Sequence, residues 1–330
     1  MTHDIDVLAI GNALVDVIVT ADPAFLTGNA IPKGSMRLIA ADEAERLYAL
    51  MGADTREVSG GSAANTVVGV AAMGGKPQFF GRVADDQLGQ IFAHDIRAAG
   101  VAFDSAPVAD GPPTGRCLIV VTPDGDRTMS TYLGACQELT EADIDEAAVR
   151  AAAVLYLEGY LWDPAAPRAA MKKAIRIARE AGRKVAFTLS DVFCVEGHRA
   201  DFIGLLDGHV DMMFGNENEV RALYQTQNLD EAMAELGKHA TIAVVTRSEH
   251  GAVVLTDGAR HVVPACPPAQ LLDTTGAGDL FAAGFLGGFV AGRSLPDCAR
   301  QGAIAAAEII SHYGARPERD LKMLVDAAFA

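Results

Sequence analysis

Between residues 154 and 246, short apolar runs alternate with longer stretches of helical periodicity. The runs are Val154 to Leu157, Val185 to Leu189, Met212 to Phe214 and Ile242 to Thr246; the helical stretches fall at about 165–181, 198–207, 216–224 and 230–238. A strand that is apolar throughout must be covered on both faces, and strands joined through helices run parallel. This stretch therefore predicts βαβ units in a mostly parallel sheet with helices on either side. Val253 to Thr256 and His261 to Val263 read as a late hairpin, with closing helices after it.

The first part of the chain is patterned differently. Val7 to Ile10 and Leu14 to Val19 are β-rich runs around Gly11-Asn12. Met36 to Ile39 reads as a short strand after the turn Pro32-Lys33-Gly34, and a helix runs from Ala41 to about Met51. An apolar helix over Ala63 to Met73 ends at Gly74-Gly75, Gln78 to Val83 is a strand, and Asp86 to Ala99 is a helix. Arg116 to Val121 and Arg127 to Leu133 flank Asp124-Gly125, a hairpin signal. We expect one α/β domain over residues 1–330, with segments at about 12–40 and 104–135 left over as a small sheet on its edge, placed to cover a site.

Composition narrows the partners. The net charge of −16 argues against nucleic acid or an anionic membrane, since both select a basic surface. The five cysteines form no C-x-x-C pair and read as reduced thiols of a cytoplasmic protein. The first residues carry no basic region followed by an apolar core, and no apolar run reaches membrane-spanning length. The histidines show no metal-ligand spacing, so no transition metal is expected. Monomer and homodimer are both compatible with the sequence.

The chemistry concentrates in Asp273-Thr274-Thr275-Gly276-Ala277-Gly278-Asp279, followed by a small-residue apolar helix. Its bare N-terminus suits an anion such as phosphate. Asp279 would repel that anion unless it takes a proton from a nucleophile attacking a phosphate; otherwise it is an acidic residue favouring the helix dipole. Gly60-Gly61-Ser62-Ala63-Ala64-Asn65 repeats the arrangement, either as a ligand-contacting turn or as a plain cap. Asp16, a charge in an apolar strand, either faces water or accepts the paired hydroxyls of a diol. Asn216-x-x-Glu219 is a capping pattern that also suits water around Mg²⁺. Thr246 to Gly251 follows a strand, where ligands of open α/β sheets bind. Walker A and dinucleotide fingerprints are both absent.

Taken in order, Gly60-Gly61-x-x-x-Asn65, Asn216-x-x-Glu219 and Asp273 to Asp279 resemble the ribokinase (PfkB) family of carbohydrate and nucleoside kinases. Within it the resemblance is strongest to the adenosine kinases, through Gly11 to Asp16, Phe79 to Arg82, Thr114 to Cys117, Leu189 to Phe193 and Phe214 to Glu217. The resemblance implies a ribokinase-like three-layer α/β/α sandwich with a mostly parallel central sheet and a small β-sheet lid. It implies phosphorylation of the 5′-hydroxyl of a nucleoside by ATP. Asp279 would be the base, and the turn Gly276, Ala277, Gly278 and Asp279 the anion hole. Asp16, Gly60, Gly61, Ser62 and Asn65 would hold the sugar, with Asn12, Leu14 and Phe193 lining the nucleoside pocket. Asn216, Thr246, Gly251, Gly278 and Arg127 would serve ATP, with Arg127 reaching the transferring phosphate. Glu219 would serve Mg²⁺ through water. Asp273 and Thr275 would bind a monovalent cation, K⁺, with the Ser311 to Gly314 region nearby. A sugar kinase of the same family, or a catalytically silent nucleoside sensor, would use the same frame.

Overall fold

The computed structural model describes residues 3–256 and 258–330. Its strands are β1 (Ile5–Ile10), β2 (Leu14–Thr20), β3 (Met36–Leu38), β4 (Arg56–Gly60), β5 (Pro77–Phe80), β6 (Gly115–Val121), β7 (Arg127–Tyr132), β8 (Ala152–Glu158), β9 (Lys184–Thr188), β10 (Met212–Asn216), β11 (Ile242–Thr246), β12 (Ala252–Thr256) and β13 (Ala259–Val263). They form an eight-stranded sheet of order β13-β12-β11-β10-β9-β8-β1-β5 and a five-stranded sheet of order β3-β7-β6-β2-β4. From β5 to β11 the large sheet is parallel, and β12 and β13 add antiparallel.

Alternation along each strand of the large sheet separates two cores. Val7, Ala9, Val154, Tyr156, Met212 and Phe214 face the helices Ser62–Ala72, Ala277–Val290 and Leu295–Ile309. Leu8, Ile10, Leu155, Leu157, Phe187 and Met213 face Ala165–Glu180, Val192–Leu206, Glu217–Tyr224 and Leu229–His239. Helices thus cover both faces, as expected for fully apolar strands. Trp162 is fully buried in the second core, its indole N–H donating to Asp201 at 2.9 Å.

The small sheet begins at β2 and holds one strand beyond those expected. β1 and β2 are not neighbours: the chain leaves the large sheet at Gly11 and enters the small one at Leu14. Gly11 is forced by the crossing, because a Cβ there would lie 2.6 Å from the Ala63 Cβ and 2.7 Å from the Glu158 carboxylate. The sheet also recruits β4, antiparallel to β2, which no pattern in Arg-Glu-Val-Ser-Gly announces. In β2 the fully buried Val15 and Val17 point one way, while half-buried Leu14, Asp16 and Ile18 point the other.

Helix Ala277–Val290, which carries Asp279, packs closely on Leu295–Ile309. A Cβ on Gly284 would lie 2.6 Å from the Gly302 Cα and 2.7 Å from the Gln301 carbonyl oxygen, so only backbone is there to give way. Helix propensity favours alanine over glycine by up to about 1 kcal/mol, whereas overpacking a tight core costs about 1–3 kcal/mol. The clash should prevail. Gly284→Ala is expected to lower the urea unfolding midpoint by the equivalent of about 1–2 kcal/mol; an unchanged or raised midpoint contradicts this packing.

Candidate active site

The carboxyl ends of β1, β8, β9, β10 and β11 open onto a cavity of about 750 Å³, roofed by one face of the small sheet. Asn12, Glu158, Thr188, Asn216 and Thr246 sit at those strand ends, where open α/β sheets bind ligands. Leu14 and Asp16 enter from β2, and Met36 and Leu38 from β3. Gly61, Ser62 and Asn65 line it at the start of helix Ser62–Ala72, and Thr275 to Asp279 at the start of helix Ala277–Val290.

Asp279 is the meeting point of these two helix starts. Its Oδ1 accepts from the Ser62 hydroxyl at 2.6 Å, and its Oδ2 from the Asn65 amide at 3.0 Å. Removal from water pushes its carboxyl up to about 6, with the Ser62 and Asn65 bonds pulling the other way. Gly276 takes a left-handed conformation at φ 79° to start the helix. The Ala277 N–H donates to the Thr274 carbonyl, and the first i→i−4 bond is Leu280 to Gly276. The N–H groups of Gly278 and Asp279 are therefore the ones left to an anion, and the expected contribution of the Ala277 N–H is spent locally.

Asp16 lies on the face of β2 toward the cavity. Burial pushes its carboxyl up to about 6, opposed by the Arg316 and Arg127 guanidinium groups. Gly60 lines no part of the cavity; it backs Asp16, and a Cβ there would stand 2.6 Å from that carboxylate. Gly61, at φ 96°, passes so close to the Asn12 carbonyl that a Cβ would be 2.2 Å from its oxygen. The Oδ1 atoms of Asn12 and Asn65 are buried without a protein partner among the described residues. Buried acceptors are normally paired with protein or water, so these two are open to donors from water or a ligand. Phe193 flanks the opening, 43% exposed and 5.9 Å from the Tyr160 ring.

Asn216 caps helix Glu217–Tyr224 through the N–H groups of Asn218 and Glu219, and Glu219 returns a bond to the Asn216 N–H. Burial pushes Glu219 up to about 7.

Besides Gly60, three expected site residues are placed elsewhere. Gly251 sits in the turn between β11 and β12, where its φ of 77° and a Cβ position 2.1 Å from the Val263 carbonyl oxygen account for glycine. Arg127 and Asp273 are paired with each other, Nη2 to Oδ2 at 3.0 Å. Arg127 lines a second cavity of about 460 Å³ beside Tyr313 and Gly314, not the larger one. The Asp273 Oδ1 accepts from the Thr275 N–H at 3.0 Å and hydroxyl at 2.7 Å, and Oδ2 also accepts from the Gly314 N–H at 2.9 Å. Its lone pairs are thus filled by protein donors, one of them cationic, which does not fit the expected K⁺ ligand. Ser311 bonds to Ala307 and Ala269 instead.

Two residues went unread in the sequence. Glu158, fully buried at the end of β8, accepts from the Asn12 N–H and side-chain amide and from the Ala63 N–H, each at 2.7 Å. A charge ending an apolar strand was the available signal. Arg316 holds the Ser59 and Ala64 carbonyls at 2.9–3.1 Å, near Asp16 and Asp279, and burial lowers it to about 10. Its surroundings, Gly-Ala-Arg-Pro, gave no signal.

Burial raises Glu158 from an ordinary 4.5 to about 7. The folded state therefore holds the proton more tightly than the unfolded chain. The stability from this group is fully present below the unfolded value and is lost as pH rises through about 7. The ligand-free urea midpoint should fall between about pH 5 and pH 8, and Glu158→Gln should flatten that fall; equal slopes in the two proteins would remove Glu158 as the source.

Known proteins share this fold. The sequence pattern of the pfkB family carbohydrate kinases matches residues 33–320. Among solved structures, a probable sugar kinase from Rhizobium etli CFN 42 superposes with a TM-score of 0.93 at 48% identity, over 99% of both chains. An adenosine kinase from Sinorhizobium meliloti superposes with a TM-score of 0.92 at 50% identity, over 98% of this chain and 99% of that one. A 5-dehydro-2-deoxygluconokinase of Geobacillus thermodenitrificans is 30% identical over 77% of this chain and 79% of its own. With its ribokinase-like fold and this match over most of its length, the chain belongs to the pfkB family of carbohydrate kinases.

Proposed function

We propose that the protein is an adenosine kinase, moving the γ-phosphoryl group of ATP to the 5′-hydroxyl of adenosine. The observation that carries the phosphotransfer is Asp279, a carboxylate held by Ser62 and Asn65 beside the free N–H groups of a helix start. With its carboxyl near 6, Asp279 is ionised at neutral pH yet basic enough to take the hydroxyl proton. The Gly278 and Asp279 N–H groups face charge that develops on the transferred group. The Asp16 carboxylate accepts hydrogen bonds from the ribose diol, and the open Oδ1 atoms of Asn12 and Asn65 accept them from further hydroxyls.

The choice of adenosine rests on the cavity wall. Above the polar floor stand Leu14, Met36, Leu38, Ile119, Leu133 and Phe193, an apolar surface suited to a flat base and poorly matched to an open polyol. The adenosine kinase among the structural neighbours supports the same reading. Family kinases generally use ATP with Mg²⁺. The ion, when bound, would screen the phosphate oxygens. Glu219 suits it through water, because each of its carboxylate oxygens accepts one bond from Asn216 and keeps a lone pair. We also propose that the small sheet, from segments 12–40, 56–60 and 104–135, acts as a lid on the acceptor. The acidic, ATP-using protein would work in the cytoplasm.

ATP turnover on adenosine, guanosine, ribose and fructose decides the acceptor. Adenosine should be preferred; turnover confined to the free sugars makes the protein a sugar kinase. Adenosine binding with no AMP formed, with Mg²⁺ present, makes it a sensor. Asp279→Asn should lower kcat at least about 10²-fold with little change in adenosine affinity. In the unmodified protein kcat/KM should rise with pH to a plateau above about 6, as Asp279 and Asp16 deprotonate. A near-normal kcat in the variant contradicts the assigned role.

A further inference from the structure

The turn that presents the anion-binding N–H groups has a negative charge behind it. Asp273 is buried, and through Thr275 and Gly314 its carboxylate organises the turn and the segment packed under it. Left unbalanced, that charge would repel a phosphoryl group and weaken the N–H groups pointed at it. The balancing charge comes from the other sheet. Arg127 is the first residue of β7, on the face of the small sheet that also carries Met129 and Thr131 into the cavity. Its guanidinium meets Asp273 with side-chain exposures of 10% and 5%, and the Tyr313 ring lies 5.7 Å away.

We infer that Arg127 is a built-in cation for Asp273, so that phosphoryl transfer in this protein needs no monovalent metal ion. The lone pairs of Asp273 are already occupied, so an ion could bind there only by displacing the guanidinium or the turn's own N–H and hydroxyl donors. Displacing the guanidinium would exchange a delocalised charge fixed within the chain for one drawn from solution. Arg127 acts here as a positioning residue. It touches neither the cavity floor nor Asp279, and it makes the charge balance of the turn depend on the small sheet being in place. The inference rests on the phosphotransferase reading, but part of its test does not.

The test compares KCl with tetramethylammonium chloride at equal ionic strength, in the unmodified protein, Arg127→Ala and Arg127→Lys. Two readouts are taken: thermal midpoint without substrate, and kcat and KM for ATP turnover on adenosine. In the unmodified protein both readouts should be the same in the two salts. Arg127→Ala should melt lower and lose kcat by at least about ten-fold, below the loss from removing an oxyanion-hole donor. K⁺ should then restore midpoint and kcat more than tetramethylammonium does. Arg127→Lys should remain indifferent to K⁺. A purely structural arginine would lower the midpoint without creating a K⁺ response, and that result overturns the inference. A specific K⁺ requirement in the unmodified protein overturns it as well, even where Arg127→Ala fails to fold. If adenosine is not turned over at all, the proposed reaction fails, while the salt dependence of the midpoint still decides the role of Arg127.

Discussion

The site depends on one buried carboxylate that takes no part in the proposed chemistry. Glu158 ties the backbone and side chain of Asn12, at the crossing between the sheets, to the Ala63 N–H at the start of helix Ser62–Ala72. That helix start holds Ser62 and Asn65, and these hold Asp279. Hydrogen bonds and one turn of backbone therefore connect the end of β8 to the proposed base. Burying a charge costs several kcal/mol before compensation, and short bonds from N–H donors are the strong kind that offset it. Gly11 follows from the same contact, since any side chain there would meet Glu158 and Ala63.

Electrostatics explain how a chain of net charge −16 can receive a triphosphate. Burial raises Glu158 and Glu219 to about 7, so near neutrality the ligand-free site carries less negative charge than its composition implies, while Asp16 and Asp279, raised to about 6, stay mostly ionised. Arg316 stands behind Asp16 and Asp279, its own charge spent on the Ser59 and Ala64 carbonyls and on those two neighbours. The local field at the helix starts is set by these few groups at short range, while the surface charge beyond a Debye length is screened.

Periodicity made the large sheet legible. Strands buried on both faces are apolar along their length, and the helices between them carry a face of their own, so β8 to β13 were read with small boundary shifts. β4 was missed because an edge strand facing partly outward needs few apolar residues, and Arg56 to Gly60 contains one, Val58. The anion turn, the Gly60 to Asn65 stretch and Asn216 to Glu219 were legible because backbone approach and capping are local requirements. The pairings were not. Arg127 with Asp273, Glu158 with Asn12 and Ala63, and Arg316 with Ser59 join distant parts of the chain, and none leaves a local signature. Gly60 and Gly251 were expected to contact a ligand, but glycine is required there for another reason. The reason was packing against Asp16 and Val263 and not contact with a ligand.

The division of labour between the sheets bears on how one frame serves different acceptors. Asp279, Asn65 and Asn216 stand on helix starts and a strand end packed on the large sheet, where any shift disturbs the core. The apolar wall over the acceptor comes in good part from the small sheet, from Leu14, Met36, Leu38 and Ile119. β3 is an edge strand, and Leu38 is 55% exposed, so side chains there can change size at little cost to folding. Asp16 is the exception, a polar group that the small sheet turns toward the cavity, and Gly60 behind it holds the room it occupies. Under the proposed function, substitution along β3 and β6 would alter the acceptor while leaving the proton and phosphate machinery in place. The probable sugar kinase and the adenosine kinase that superpose on this chain over nearly their whole length share its frame, which leaves the wall side chains as the place where their acceptors would differ.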